Sequence, residues 1–98
     1  LLDAVAEHPS WAKGHLMLGL SYSENGDNTS AIYYLKKAQL LDPSDGYSLC
    51  YLGVISYDRG SYKAAQEYLN SAGKLAGKDE YLRSIIDTYQ ECVAREAK

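Results

Sequence analysis

The residues of this chain best suited to chemistry are two histidines, His8 and His15, two cysteines, Cys50 and Cys92, and a scatter of serines. The histidine spacing is not that of a metal pair on one helix face, so His8 reads as a turn residue and His15 as a packing residue. A serine nucleophile needs a base held in place by a third group, and no spacing here supplies that arrangement. The glycine-containing turns Asn25-Gly26-Asp27 and Arg59-Gly60-Ser61 are helix-joining turns without the lysine followed by serine or threonine that a phosphate-binding loop requires. Cys50 and Cys92 are too few for a disulfide framework and read as two reduced thiols on helices that could neighbour each other, which points to the cytoplasm. No catalytic, cofactor-binding or metal site emerges, and the chain reads as non-enzymatic.

The elements that carry these residues follow a period. Leu18-Gly19, Gly26, Ala31, Tyr34, Leu35, Ala38 and Leu41 return as Leu52-Gly53, Gly60, Ala65, Tyr68, Leu69, Ala72 and Leu75, each 34 residues later. A period of that size belongs to a unit of two antiparallel helices whose apolar face only a neighbouring unit can cover. Glycine inside a helix costs about 1 kcal/mol relative to alanine, so Gly19 and Gly53 predict close helix crossings. Ala31, Ala38, Ala65 and Ala72 provide small surfaces on the facing helices, and Leu18, Leu35, Leu52 and Leu69 fill the space between.

Through Leu18-Gly19-x-x-Tyr22, Asn25-Gly26-Asp27, Ala31-Ile32, Ala38 and Leu41-Asp42-Pro43, the chain resembles the tetratricopeptide repeat family. The resemblance implies an all-α fold, a right-handed α-solenoid of helix-turn-helix repeats with a C-terminal capping helix. Leu1, Ala4 and His8-Pro9 fall one period before Leu35, Ala38 and Asp42-Pro43, so residues 1–9 read as the end of a preceding repeat. Residues 10–43 and 44–77 are the two full units, and 78–98 are the capping helix. Two positions depart from the family pattern: Ser56 stands where the first unit has Tyr22, with Tyr57 as a compensating aromatic, and Gly77 replaces Pro43.

Helix boundaries follow from caps. Pro9 stops the first helix and Ser10 is the expected cap of a helix from Trp11 to about Glu24, with Trp11, His15, Leu18 and Tyr22 facing the stack. Asn25-Gly26 ends it, and Asp27 caps a helix over 28–41 with the apolar stripe Ala31, Leu35, Ala38 and Leu41. Ser44 is the expected cap of a helix over 45–58. Tyr62 to Ala76 repeats the second helix, and Gly77 is its C-cap. The last helix starts after Asp79, with Leu82, Ile85, Ile86, Tyr89 and Val93 on one face and Arg83, Asp87, Gln90 and Arg95 on the polar outer one.

Composition narrows the function. A formal net charge of −3, without a basic run, gives no footing for nucleic acid. No apolar run is long enough to span a membrane and no secretory segment opens the chain, which reads as a soluble protein. Leu1 is not Met, so the numbering is expected to begin inside a longer product.

In the resembling family, the first helices line a concave surface. Helical geometry assigns to that surface Lys13, Leu16, Leu20, Ser23 and Glu24 in the first unit, and Tyr47, Cys50, Tyr51, Val54, Tyr57 and Asp58 in the second. The last helix adds Tyr81, Ser84, Thr88 and Glu91. Leu16, Leu20, Val54 and the tyrosines are not required by the repeat itself. Ten tyrosines and no phenylalanine suit a surface that is wet until bound. The reading is a groove for a helix or extended peptide of a partner protein, or else side chains that shield one another, with Tyr51 in the core. One family subgroup grips chaperone C-terminal carboxylates with lysine, asparagine and arginine; the matching positions here are Leu16, Leu20, Tyr51, Tyr81 and Ile85, which excludes such a clamp. Two rival readings are self-association through the apolar end at Leu1, Leu2 and Val5, and a regulatory module of a larger enzyme.

Overall fold

The computed structural model describes residues 2–96. It consists of six helices, α1 (Leu2–Glu7), α2 (Ala12–Glu24), α3 (Asn28–Leu41), α4 (Gly46–Asp58), α5 (Tyr62–Leu75) and α6 (Glu80–Glu96), with no strand among the described residues. Leu1, expected at the N-terminal apolar end, lies outside them, as do positions 97 and 98. Among the described residues no helix is long and apolar enough to cross a membrane.

The helices pack as adjacent antiparallel pairs, α2 with α3 and α4 with α5, and the pairs stack so that α2, α4 and α6 lie side by side. The chain is thus a helical-repeat solenoid. Its repetition extends to individual atoms. A Cβ built on Gly19 would lie 2.7 Å from Leu35 Cγ and 3.3 Å from the Ala31 carbonyl; one on Gly53 would lie 2.9 Å from Leu69 Cγ and 3.3 Å from the Ala65 carbonyl. Glycine is retained at both sites because the facing helix occupies the space of a side chain. Leu35, Leu69, Ala31 and Ala65 are fully buried at these crossings.

The intra-unit turns also match. Asn25-Gly26 and Arg59-Gly60 end α2 and α4 with the glycine at φ 80° and 78°, a left-handed conformation open to glycine at no steric cost. At the first turn, Asp27 N donates to Tyr22 O at 2.9 Å and Gly26 N to Ser23 O at 3.0 Å. At the second, Ser61 N donates to Ser56 O at 2.8 Å and Gly60 N to Tyr57 O at 2.9 Å. Both are the paired six-to-one and five-to-two bonds of a Schellman C-cap.

Of the expected N-caps, Asp27 holds Ser30 N at 3.1 Å; Asp79, just before the expected start of the last helix, holds Leu82 N at 3.1 Å. Two serines do not cap. Helix α2 begins at Ala12, one residue later than expected, with Trp11 in the cap position and no side-chain cap bond, and Trp11 stays 39% exposed instead of facing the stack. Ser44 turns back to Asp42, donating its hydroxyl to Oδ1 at 2.7 Å, and Asp45 caps α4 by accepting from Tyr47 N at 3.0 Å. Ser44 is drawn off because a carboxylate two residues earlier is the stronger acceptor for its hydroxyl.

The core is formed by two clusters. Ala31, Leu35, Leu52 and Ile55 join α3 to α4. Ala65, Leu69, Ala72, Leu82, Ile86 and Val93 join α5 to α6, together with Cys50. In α6, Leu82, Ile86 and Val93 are buried and Ile85 and Tyr89 half-buried, while Arg83, Asp87 and Arg95 are exposed on the other face. Each fully buried aliphatic side chain contributes about 1.5–3 kcal/mol, so this face fastens α6 to the second pair. Leu41, expected in the apolar stripe of α3, is 39% exposed, as is its equivalent Leu75.

The crossing at Gly53 makes a paired prediction. Gly53→Ala gains helix propensity of about 1 kcal/mol, but it forces a methyl into buried Leu69, an overpacking cost of about 1–3 kcal/mol, so urea unfolding should show a net loss of stability. Gly73→Ala, in α5 where an added Cβ meets nothing within 4 Å, should instead stabilise by about 0.5–1 kcal/mol.

Candidate functional site

Because α2, α4 and α6 lie side by side, residues 34 apart on them form rows across one face. Lys13, Tyr47 and Tyr81 form the first row, Leu16, Cys50 and Ser84 the next, Leu20, Val54 and Thr88 the third. Ser23, Tyr57 and Glu91 follow, and Glu24 and Asp58 end the face. Lys13, Glu24, Asp58, Ser84, Thr88 and Glu91 are exposed, and Tyr81 is 65% exposed. Leu16, Leu20, Ser23, Tyr47, Tyr51, Val54 and Tyr57 are half-buried.

Cys50 departs from the expected groove. It is fully buried with Leu82, Ile86 and Val93, because its position falls in the seam where α4 meets α6. Leu16, its equivalent one unit earlier, rests in the same way on the cluster of Leu52 and Ile55 while staying partly accessible. Met17, absent from the sequence-based set, is 43% exposed and forms a further row with Tyr51 and Ile85. The same period of 34 could have found it.

The aromatic residues form two groups. Tyr47 and Tyr51 stack with centroids 6.5 Å apart, and Tyr81 stands beside them. The Tyr47 hydroxyl donates to Asp79 Oδ2 at 2.6 Å, so the carboxylate that caps α6 also fixes a ring on α4. That bond, with burial second, pushes the Tyr47 phenol up to about 12 and holds Asp79 below the usual carboxylate range. Tyr51 is pushed up by burial and by the Tyr81 hydroxyl. In the second group, Tyr57 packs on Tyr62 and Tyr89, each with centroids 5.7 Å away, which makes it partly a core residue. Ser56, in place of the aromatic at Tyr22, donates its hydroxyl to Leu52 O at 2.8 Å.

Lys13, Leu16 and Tyr47 also line a depression of about 320 Å³, closed on its other side by Asp42, Ser44 and Asp45 of the α3–α4 turn. The chemistry of this face is contact and hydrogen bonding. Among the described residues no group of three His, Cys, Asp or Glu is placed to hold a metal ion. His15 is buried, its ring stacked on Tyr34 at 5.9 Å and its Nε2–H donating to Pro9 O at 2.9 Å, which ties the turn before α2 to that helix.

Two outcomes follow. Raised above the unfolded value of 10, the Tyr47 phenol contributes stability that is complete below pH 10 and is lost as pH rises toward 12. Tyr47→Phe should remove the last phenolate to appear in an ultraviolet titration and lower the urea midpoint at neutral pH. Burial pushes the Cys50 thiol up to about 12, whereas Cys92 is half-buried. A thiol reagent should therefore modify one cysteine in the folded protein and the second only on unfolding, read by mass spectrometry.

Residues 12–45 match the family model described as the tetratricopeptide repeat. A search of curated proteins finds no match to the chain. The matched stretch runs from the first residue of α2 to the cap of α4, one helix pair with both of its turns. Its glycine crossing and Schellman turn are repeated 34 residues later by α4 and α5. Over residues 12–45 the chain is similar to the tetratricopeptide repeat family.

Proposed function

We propose that the face of α2, α4 and α6 binds a helix or extended segment of a partner protein through apolar and aromatic side chains. Tetratricopeptide repeats are in general protein-protein interaction modules. The observation that carries the reading is the accessibility of Leu20, Val54, Tyr47, Tyr51 and Tyr81 on adjacent helices whose opposite side is already occupied by the core. A tyrosine ring offers apolar area at low entropic cost and a hydroxyl that water satisfies until a partner does. In this reading α1 is the second helix of a preceding unit, α6 is the cap, and the module acts by binding, without catalysis. Leu16, Leu20, Tyr51, Tyr81 and Ile85 hold no cation for a chaperone-type carboxylate clamp.

A second reading is self-association at the N-terminal end. It is favoured by Leu2, 53% exposed on α1, and by an open depression lined by Ala4, Glu7, His8, Ser10 and Trp11. A single monomeric species by sedimentation at every concentration would remove it.

The groove is tested with peptides selected by display against the folded chain. Leu20→Glu and Tyr81→Glu, at accessible positions, should each weaken the selected peptides about ten-fold or more in calorimetric titrations, with the circular dichroism unchanged. Unchanged affinity in both variants would remove this face from consideration.

A further inference from the structure

Charge along the proposed groove is distributed unevenly. At the end formed by the C-termini of α2 and α4 stand Glu24 and Asp58, equivalent positions 34 apart, both exposed. Glu91 of α6 continues their edge one position away. The C-terminal ends of the two helix dipoles add partial negative charge at the same place. At the opposite rim, Asp42 and Asp45 border the depression that holds Lys13, Leu16 and Tyr47, and Asp79 is bonded to Tyr47. The cations beside these rims are Lys13, Arg59, Lys78 and Arg95, the last reaching Cys92 Sγ at 3.4 Å beside Glu91. Helix α4 itself, residues 46–58, contains no lysine or arginine. The second helices are opposite in sign: α3 carries Lys36 and Lys37 and no carboxylate, and α5 carries Lys63 and Lys74 against Glu67.

Apolar and aromatic rows between two acidic rims define a ligand as well as a shape. From this distribution we infer that the groove takes a segment whose apolar side chains are flanked by lysines or arginines, an inference that rests on the groove reading above. The leucine, valine and tyrosine rows accept the apolar side chains. The rims attract the flanking cations, and the exposed ring of Tyr81 offers an additional cation-π contact. An acidic segment would meet like charge most strongly at the Glu24 and Asp58 end, where the helix dipoles add to the carboxylates. The basic back of α3 and α5 keeps nearby positive potential off the groove side of the molecule, so approach is steered to one face.

The probes are three fluorescent synthetic peptides with one amphipathic pattern of leucine and tryptophan, their polar positions filled by lysine, glutamine or glutamate. Anisotropy titrations at low salt should place the lysine peptide about ten-fold or more tighter than the glutamine peptide and the glutamate peptide weakest. Raising salt should erase most of the difference. Glu24→Lys combined with Asp58→Lys, both at exposed positions, should weaken the lysine peptide alone. Leu20→Glu should weaken the lysine and glutamine peptides. Equal binding of the lysine and glutamine peptides, both still sensitive to Leu20→Glu, would overturn the charge inference and leave the groove intact. Lysine-peptide binding indifferent to both the Leu20 and the rim variants would overturn the two together.

Discussion

Each pair in this structure depends on the absence of a side chain. Where α2 crosses α3 and α4 crosses α5, a glycine lets the backbone of one helix approach until a leucine and a main-chain carbonyl of the other occupy the space a Cβ would take. Helix axes normally stand 8–10 Å apart, held there by the side chains between them. Gly19 and Gly53 permit closer contact, and Ala31 and Ala65 supply a facing surface small enough to use it. Since both crossings have the same residues in the same register, the two pairs have the same shape, and equal shapes stack.

That constraint sorts the other residues. Once one side of α2 and α4 is committed to its partner helix, an adjoining side must meet the next first helix, which sends Cys50 into the seam with α6 and presses Leu16 onto Leu52 and Ile55. What remains accessible is a strip along three helices, in rows because the units repeat. The tyrosines of that strip are held as well as displayed: Asp79 caps α6 and binds the Tyr47 hydroxyl, so a single carboxylate joins the start of α6 to a ring on α4.

The sequence made much of this legible, and what it left hidden has a common cause. The period, the glycine crossings, the Schellman turns and the caps at Asp27 and Asp79 involve residues near in sequence or related by one shift, and helical geometry reads both. Ser44 is a good cap by residue type, yet Asp42 takes its hydroxyl and Asp45 caps α4. Cys50 reads as a groove residue from the face of α4 alone, and it is the neighbouring α6 that buries it. The Tyr47–Asp79 bond spans 32 residues and two units, so no local pattern announces it. Met17 stands 34 residues before Tyr51, so the period alone makes its place in the strip readable.

The account stands most directly on the two crossings being the same contact. Nuclear Overhauser spectra of the folded protein measure it: the α-protons of Gly19 should show strong cross-peaks to the methyls of Leu35, and those of Gly53 to the methyls of Leu69. Matching pairs of cross-peaks are the predicted result. A spectrum with one pair and not the other, or with either glycine facing solvent, would contradict the repeat on which the stack, the rows and the groove are built.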